Sequence, residues 1–430
     1  MHIYRANIIY TPDSHGFEIV PHGYVAVSNG KVEGVDSDLP DCLSDCPITD
    51  WGDRLLIPAM NDMHVHAPQY RNQGIAMDEE LLPWLQNYTF PEELKYADTA
   101  YAERMYRRFV YDLWRHGTMR VVAFASVHLD STRLLMRMLS EAGMAGRVGK
   151  VNMDRDCPDG LQETAAEALS ACDALVAEFE REDALVRPIV TPRFIPSCTP
   201  ELLEACGQMV RHYHLPVQSH LSENLGEIAL VRQLEPQSRH YADAYDRYGL
   251  LGQTPTVMAH CVWTDGDELE QLRQRGVMVA HCPTSNFNLA SGLAPIRRFL
   301  DAGVAVGLGS DVSGGHDLSI FRMMVYAIQV SKMHYQRNHE CAYLSLPEAF
   351  WMATKSAGRF FGRVGSFEPG YDFDALVIDD SPLLIDDGYT LLQRLERFVY
   401  IGDDRHIAAR YCQGRLIPEP EILSDQKYNI

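Results

Sequence analysis

Nothing in the 430 residues approaches 18 uninterrupted apolar positions, so no membrane-spanning helix is expected. The opening Met-His-Ile-Tyr-Arg-Ala-Asn lacks a basic stretch leading into an apolar run, so no secretion signal is expected either. Positive charge is scarce: 38 Lys and Arg stand against 59 Asp and Glu, a formal net charge of −21. That balance disfavours nucleic acid and anionic membrane surfaces and leaves a small molecule as the expected ligand, although most of the acids need serve only solubility. Paired cysteines are missing too. The ten cysteines are scattered, several (Cys206, Cys261, Cys282) in strand-like or helical segments. In a chain without a secretion signal they read as free thiols in a reducing compartment, and the cytoplasm is the expected location. Cys42 and Cys46 have no second pair nearby to complete a metal site. Internal repeats and low-complexity stretches are also absent.

What is present is an ordinary globular composition, 46% hydrophobic and 23% charged, long enough for one large domain with an appendage. Residues 2–35 alternate like β-structure, and Asn29-Gly30 between two strand-like runs signals a tight hairpin. The end of the chain repeats this style at Asp374-Ala-Leu-Val-Ile, at Phe398-Val-Tyr-Ile-Gly and from Ala408 onward. A small β-sandwich domain built from residues 1–56 and 370–430 is therefore expected. The middle alternates strand and helix. Short apolar runs fall at 54–57, 119–125, 147–153, 187–191, 215–219, 256–259, 277–280 and 304–308. Between them lie helical patterns at 131–142 and Pro200–Tyr213, the latter with Thr199 as N-cap, and Ser345-Leu-Pro-Glu348 reads as a capping box. The α/β pattern predicts a (β/α)8 TIM-like barrel over residues 57–369, with a doubly wound open sheet as the alternative. Residues 67–117 are too long for a simple connection. Their aromatic run from Trp84 to Glu93 should pack on the barrel, its first part free to overhang the mouth as a lid.

In such a barrel the chemistry gathers where strands end. Those ends carry His64 and His66, then Arg193 and Phe194, then His220 with Glu223, then His260, His281 and Asp311. His64 and His66, two apart on a strand, project to one side and make half of a zinc site. Three histidines and an aspartate from three strand ends suffice for a zinc shell with an open position. His212 and His214 form another His-x-His, but they follow a helix and read as its solvated end. Gly314-Gly315 is equally well explained as a turn.

These stretches resemble the amidohydrolase superfamily and, within it, the guanine deaminases. The resemblance is carried by Asp62-Met-His-Val-His-Ala-Pro-Gln69, Trp84-Leu-Gln-Asn-Tyr-Thr-Phe-Pro, Thr191-Pro-Arg-Phe194, Ser219-His-Leu-Ser-Glu223, Ala259-His-Cys, His281-Cys-Pro-Thr-Ser-Asn and Gly307-Leu-Gly-Ser-Asp-Val-Ser. It covers nearly the full length. It implies one Zn2+ per chain, or Fe2+, held by His64, His66, His220 and Asp311. The lysine that bridges two metals in binuclear relatives has no counterpart after the fourth strand, where Arg193 and Phe194 stand. It further implies water attack on C2 of guanine, with Glu223, His260 and Asp311 as catalytic residues and xanthine and ammonia as products. Substrate contacts would come from His66, Ala67, Pro68, Gln69, Trp84, Arg193, Phe194, His220, Glu223, His281 and Asp311, and a homodimer is the expected assembly. Thr284 departs from the family pattern, where asparagine is expected, and puts a neighbouring hydrogen bond in doubt. A deaminase or dechlorinase of another ring (8-oxoguanine, cytosine, an s-triazine) and a non-catalytic scaffold of the same fold are the competing readings.

Overall fold

The structure is a computed structural model and describes residues 1–338 and 342–421. The chain opens with strands β1 (His2–Tyr10), β2 (Glu18–Ser28), β3 (Lys31–Asp36) and β4 (Ile48–Pro58). The Asn29-Gly30 hairpin forms as expected: both residues have positive φ, 50° and 76°, and Ser28 pairs with Lys31 across the turn. Such a left-handed two-residue turn matches the twist of the strands it joins.

The middle then lays down β5 (Met60–His66), β6 (Thr118–Phe124), β7 (Ala145–Gly149), β8 (Val151–Asn152), β9 (Val186–Pro188), β10 (Thr191–Pro192), β11 (Val217–Leu221), β12 (Thr256–His260), β13 (Met278–His281) and β14 (Ala305–Leu308). Strands β5-β6-β7-β9 form one parallel sheet and β11-β12-β13-β14 another, while β8 pairs with β10. Every residue of β5 and β6 is buried, the pattern of parallel strands covered on both faces. Hydrogen bonds connect the two sheets at both margins. Val190 N donates to Pro216 O (2.9 Å) and Gln218 N to Val190 O (3.0 Å); at the other margin Asp311 N donates to His64 O (2.8 Å) and His66 N to Val312 O (3.1 Å). The helix Pro200–Tyr213 has the predicted bounds, with Thr199 Oγ1 accepting from Leu202 N. The Ser345 capping box also forms.

Two strand assignments shift. The run 54–57, expected to open the barrel, belongs to β4 of the terminal sheet, where Ile57 pairs with Leu376. A continuous apolar run fits either buried sheet, and period alone cannot choose between them. The chain passes through Ala59 straight into β5, so His64 and His66 lie within that strand rather than beyond it. Residues 398–402 also differ: they close the helix Leu391–Ile401, whose buried Leu395, Phe398 and Val399 follow helical spacing.

The chain ends in β15 (Ala375–Ile378), β16 (Ile407–Cys412) and β17 (Arg415–Leu416), which extend the first sheet to seven strands in the order β17-β16-β15-β4-β1-β2-β3. Both chain ends thus share one sheet. It carries its own apolar cluster, including Tyr4, Ile8, Val25, Phe373 and Tyr411, with the Tyr4 and Phe373 rings stacked at 4.6 Å. Arg120 of β6 ties the sheet to the parallel body through Asp372 (2.7 Å) and Asp374 (2.5 Å). No helix among the described residues is long and apolar enough to cross a membrane.

Candidate active site

Strands β5 and β11 bring three imidazoles together. His64 and His220 have ring centroids 4.8 Å apart, His66 and His220 5.1 Å, and all three pack on Phe124 at the end of β6. His66 Nε2 faces His220 Nε2 at 3.1 Å. Asp311, just beyond β14, brings Oδ1 to 3.1 Å from His64 Nε2 and 3.4 Å from His66 Nε2. The potential ligand atoms of His64, His66 and Asp311 fall within 4.8 Å of one another, as do those of His64, His220 and His260 and those of His260, Cys282 and Asp311.

The electrostatics suit a cation. Burial pushes His64 below its ordinary value, and His66 and His220 well below theirs, so all three are neutral at neutral pH and keep a lone pair free. His220 Nδ1 donates to Arg193 O (2.6 Å), which fixes the tautomer that leaves its Nε2 lone pair on the cluster side. Burial would raise Asp311, but His64, His260 and His66 outweigh it and keep the carboxylate ionised. His64 Nε2 is buried and has no hydrogen-bond partner of good geometry among the described residues, although Asp311 Oδ1 lies 3.1 Å away. A cation between this buried ring nitrogen and the carboxylate would satisfy both. The donor set, three neutral imidazoles and a carboxylate, therefore fits a divalent ion of the zinc type.

His260 and Glu223 stand beside this cluster. His260, at the end of β12, gives Nδ1 to Asn286 Oδ1 (2.9 Å) and turns Nε2 to 3.5 Å from Glu223 Oε2 and 3.7 Å from Asp311 Oδ2. Burial alone would depress His260; the facing carboxylates of Glu223 and Asp311 outweigh it and hold it above its ordinary value. Burial pushes Glu223 up to about 7. Ser291 Oγ donates to Glu223 Oε1 (3.1 Å), and the Glu223 backbone N–H donates to Glu227 (3.0 Å). A buried carboxyl that titrates near neutral pH, beside an imidazole held above its ordinary value, is equipped for acid–base chemistry.

The cluster opens onto a cavity with about 370 Å³ of space free of atoms. It is lined by His66, His220, Glu223, His260 and Asp311, by Gln69, Trp84, Arg193 and Phe194, and by Leu81, Leu85 and Leu289. Arg193 is not free: its Nη1 donates to Glu93 Oε2 at 2.7 Å, and Gln69 Nε2 donates to Glu93 Oε1 at 2.9 Å. Three residues expected as contacts are not among those lining the cavity. Ala67 and Pro68 are buried in the turn Ala67–Asn72 behind His66 and do not line the cavity. His281 is also absent from the lining; it is fully buried, has no hydrogen-bond partner on either ring nitrogen among the described residues, and is pushed down to about 3 by burial. Thr284 Oγ1 makes its contact with Met323 Sδ (3.5 Å), away from the cluster. His214 ends the helix Pro200–Tyr213 in a left-handed conformation, as the helix-end reading requires.

Sequence reasoning missed several participants. Asp62, inside the quoted His-x-His stretch, accepts from His64 N (3.1 Å), Ser310 N (3.0 Å) and Ser310 Oγ (2.5 Å), and burial pushes it up to about 7. Glu93 ends the aromatic run that was singled out, and that position was the only signal available for it. Leu81, Leu85 and Leu289 carry no mark that separates them from core leucines.

A profile of the amidohydrolase family matches residues 55–417. The chain belongs to the amidohydrolase family. Among curated relatives of this amidohydrolase, guanine deaminase of Dictyostelium discoideum is 36% identical over 440 residues, covering 96% of this chain and 98% of the relative. Guanine deaminase of Escherichia coli (strain K12) is 33% identical over 415 residues, with 93% and 92% covered. Among solved structures, guanine deaminase from C. acetobutylicum with guanine bound in its active site superposes with a TM-score of 0.95 at 50% identity, covering 97% of this chain and 100% of the other.

Proposed function

We propose that this amidohydrolase is a guanine deaminase, converting guanine and water to xanthine and ammonia. The observation that carries the reading is one cavity lined by His66, His220, Asp311, Glu223 and His260, with Gln69 and Arg193 also lining it and His64 grouped with its histidines and Asp311. Its likeness to curated guanine deaminases, and to the guanine-bound structure, supports the same substrate.

His64, His66, His220 and Asp311 would hold one Zn2+, with Fe2+ as the alternative. Such an ion supplies Lewis-acid activation of a water molecule. Asp311, ionised among the imidazoles, accepts the proton of the water that attacks C2. His260 donates a hydrogen bond to the oxygen as it joins the ring. Glu223, protonated because it is buried, gives its proton to N3, takes up the proton of the new C2 hydroxyl and passes it to the departing amine, and is restored by the proton that Asp311 took from water. Net, water supplies the oxygen that stays on C2, one proton that ends on N3 and one that leaves with ammonia. Arg193 offers only donors, which suit the O6 acceptor of guanine; adenine places an amine there and leaves them unpaired. Phe194 and Trp84 supply flat apolar surface for the ring.

In the same reading the two parallel sheets close into a (β/α)8 barrel over 57–369, supported by the hydrogen bonds that join their margins. Residues 1–56 and 370–430, of which 422–430 lie outside the described residues, make up the small β-domain expected as a sandwich; its described strands form one seven-stranded sheet, and the separate apolar cluster of that sheet supports a unit of its own. A cytoplasmic homodimer serving purine catabolism is the setting that the resemblance suggests. Ammonia release from guanine, 8-oxoguanine, cytosine and s-triazines, compared side by side, tests the substrate. A preference for guanine is expected, and a clear preference for another ring overturns the assignment.

A further inference from the structure

We propose that Glu93 sets the hydrogen-bonding face this cavity shows to a base, by clamping Gln69 and Arg193 in single orientations and cancelling the charge of the arginine. The inference rests on the guanine reading above and deepens it. Glu93 ends the short helix Phe90–Glu93 in the long connection between β5 and β6, and its side chain is 5% exposed. Both of its oxygens are used: Oε2 accepts from Arg193 Nη1 (2.7 Å) and Oε1 from Gln69 Nε2 (2.9 Å). The guanidinium also lies over the Phe90 ring of the same helix, 5.1 Å from its centroid. Gln69 comes from the turn after β5 and Arg193 from the end of β10, so one carboxylate joins three separate segments.

Two consequences follow from elementary chemistry. The first concerns orientation. The two ends of a glutamine amide are nearly equal in size but opposite in hydrogen-bonding sense. A carboxylate only accepts, so Glu93 admits the NH2 end and nothing else, and Gln69 Oε1 is turned towards Ser313, 3.4 Å from its Oγ. Without Glu93 the amide can flip and exchange donor for acceptor where it meets the base. The second consequence concerns charge. A lone buried guanidinium attracts an anion; paired with Glu93 it leaves a wall rich in donors but with no net charge. Such a wall favours a neutral 6-oxopurine over an anionic ring of similar shape. Glu93 acts through Gln69 and Arg193 and is therefore a positioning residue.

Calorimetric binding of two purines to the metal-loaded protein tests this without turnover. Hypoxanthine is neutral, keeps O6 and lacks the amine that leaves; urate is an anion at neutral pH. Wild-type protein should prefer hypoxanthine. In Glu93→Gln, hypoxanthine should weaken about tenfold while urate tightens about tenfold, because the wall loses its clamp and gains a charge. Glu93→Asp keeps the charge but not the reach, so hypoxanthine alone should weaken. A merely structural role would weaken both ligands together, and that result in Glu93→Gln, or no change in either ligand, overturns the proposal. Should Glu93→Gln fail to fold, Glu93→Asp decides: loss of hypoxanthine with urate unaltered supports the clamp, and any other pattern refutes it. Guanine turnover by the wild type, measured in parallel, separates failure of the guanine reading from failure of this one.

Discussion

His260 Nε2 stands 3.5 Å from Glu223 Oε2 and 3.7 Å from Asp311 Oδ2, placing one imidazole between two carboxylates that burial and neighbours drive to opposite states. Asp311 is held ionised, whereas Glu223 is pushed up to about 7. That separation suits the proposed roles of Asp311 as proton acceptor and Glu223 as proton donor. Glu223→Gln keeps a similar shape and hydrogen bonding but cannot shuttle a proton. It should retain metal and lose about 10²–10⁴ in kcat, the usual worth of such transfer. Near-normal kcat would show that the shuttle lies elsewhere.

The pH profile follows from the same shifts. In the proposed mechanism Glu223 acts in its protonated form, so kcat/KM should fall as pH rises through about 7 and the carboxyl ionises. On the acid side the limit is protonation of His64, His66 and His220, which competes with the metal. All three lie below the ordinary 6.5, so that limb should sit below 6.5 and not at it. Rate measurements across pH at a fixed, limiting zinc concentration check both limbs; activity rising through pH 7 would reverse the proposed protonation of Glu223.

Arg193→Met should lower discrimination between guanine and adenine by about tenfold to a hundredfold, since unpaired donors no longer penalise the wrong ring. It also strands Glu93, so thermal stability should drop, by about 3–5 kcal/mol where a buried pair is broken. Competition between the two purines, read with metal content held constant, checks the role, and unchanged discrimination removes it.

Much of this site was legible in the sequence, and the reason is geometric. Chemistry-bearing residues at strand tips recur with spacing set by the strand–helix alternation, so His64, His66, His220, His260 and Asp311 could be picked out before any contact was known. Glu93, Asp62 and Ser291 could not, because their roles come from hydrogen bonds across 100, 248 and 68 residues of chain. Residues 54–57 were misplaced because an apolar run looks the same in either sheet, and 398–402 because a short helical stripe with β-branched and aromatic residues mimics a strand.

Asp62 carries a prediction of its own. It holds the backbone of His64 and the Ser310 hydroxyl, both beside the metal cluster. Asp62→Asn should weaken metal affinity about 10–100-fold, as loss of supporting hydrogen bonds around ligands commonly does. Metal titration with a competing chelator reads this directly, and unaltered affinity would make Asp62 a purely structural group.

The central claim is that one metal ion, gripped by His64, His66, His220 and Asp311, drives the attack of water on guanine. Xanthine formation by purified protein, before metal removal, after chelation and after zinc is restored, tests it most directly. The account predicts xanthine and ammonia in equal amounts, loss of turnover on chelation, and recovery near one equivalent of zinc per chain. Undiminished turnover in fully metal-free protein, or no xanthine from the metal-loaded protein, would contradict it.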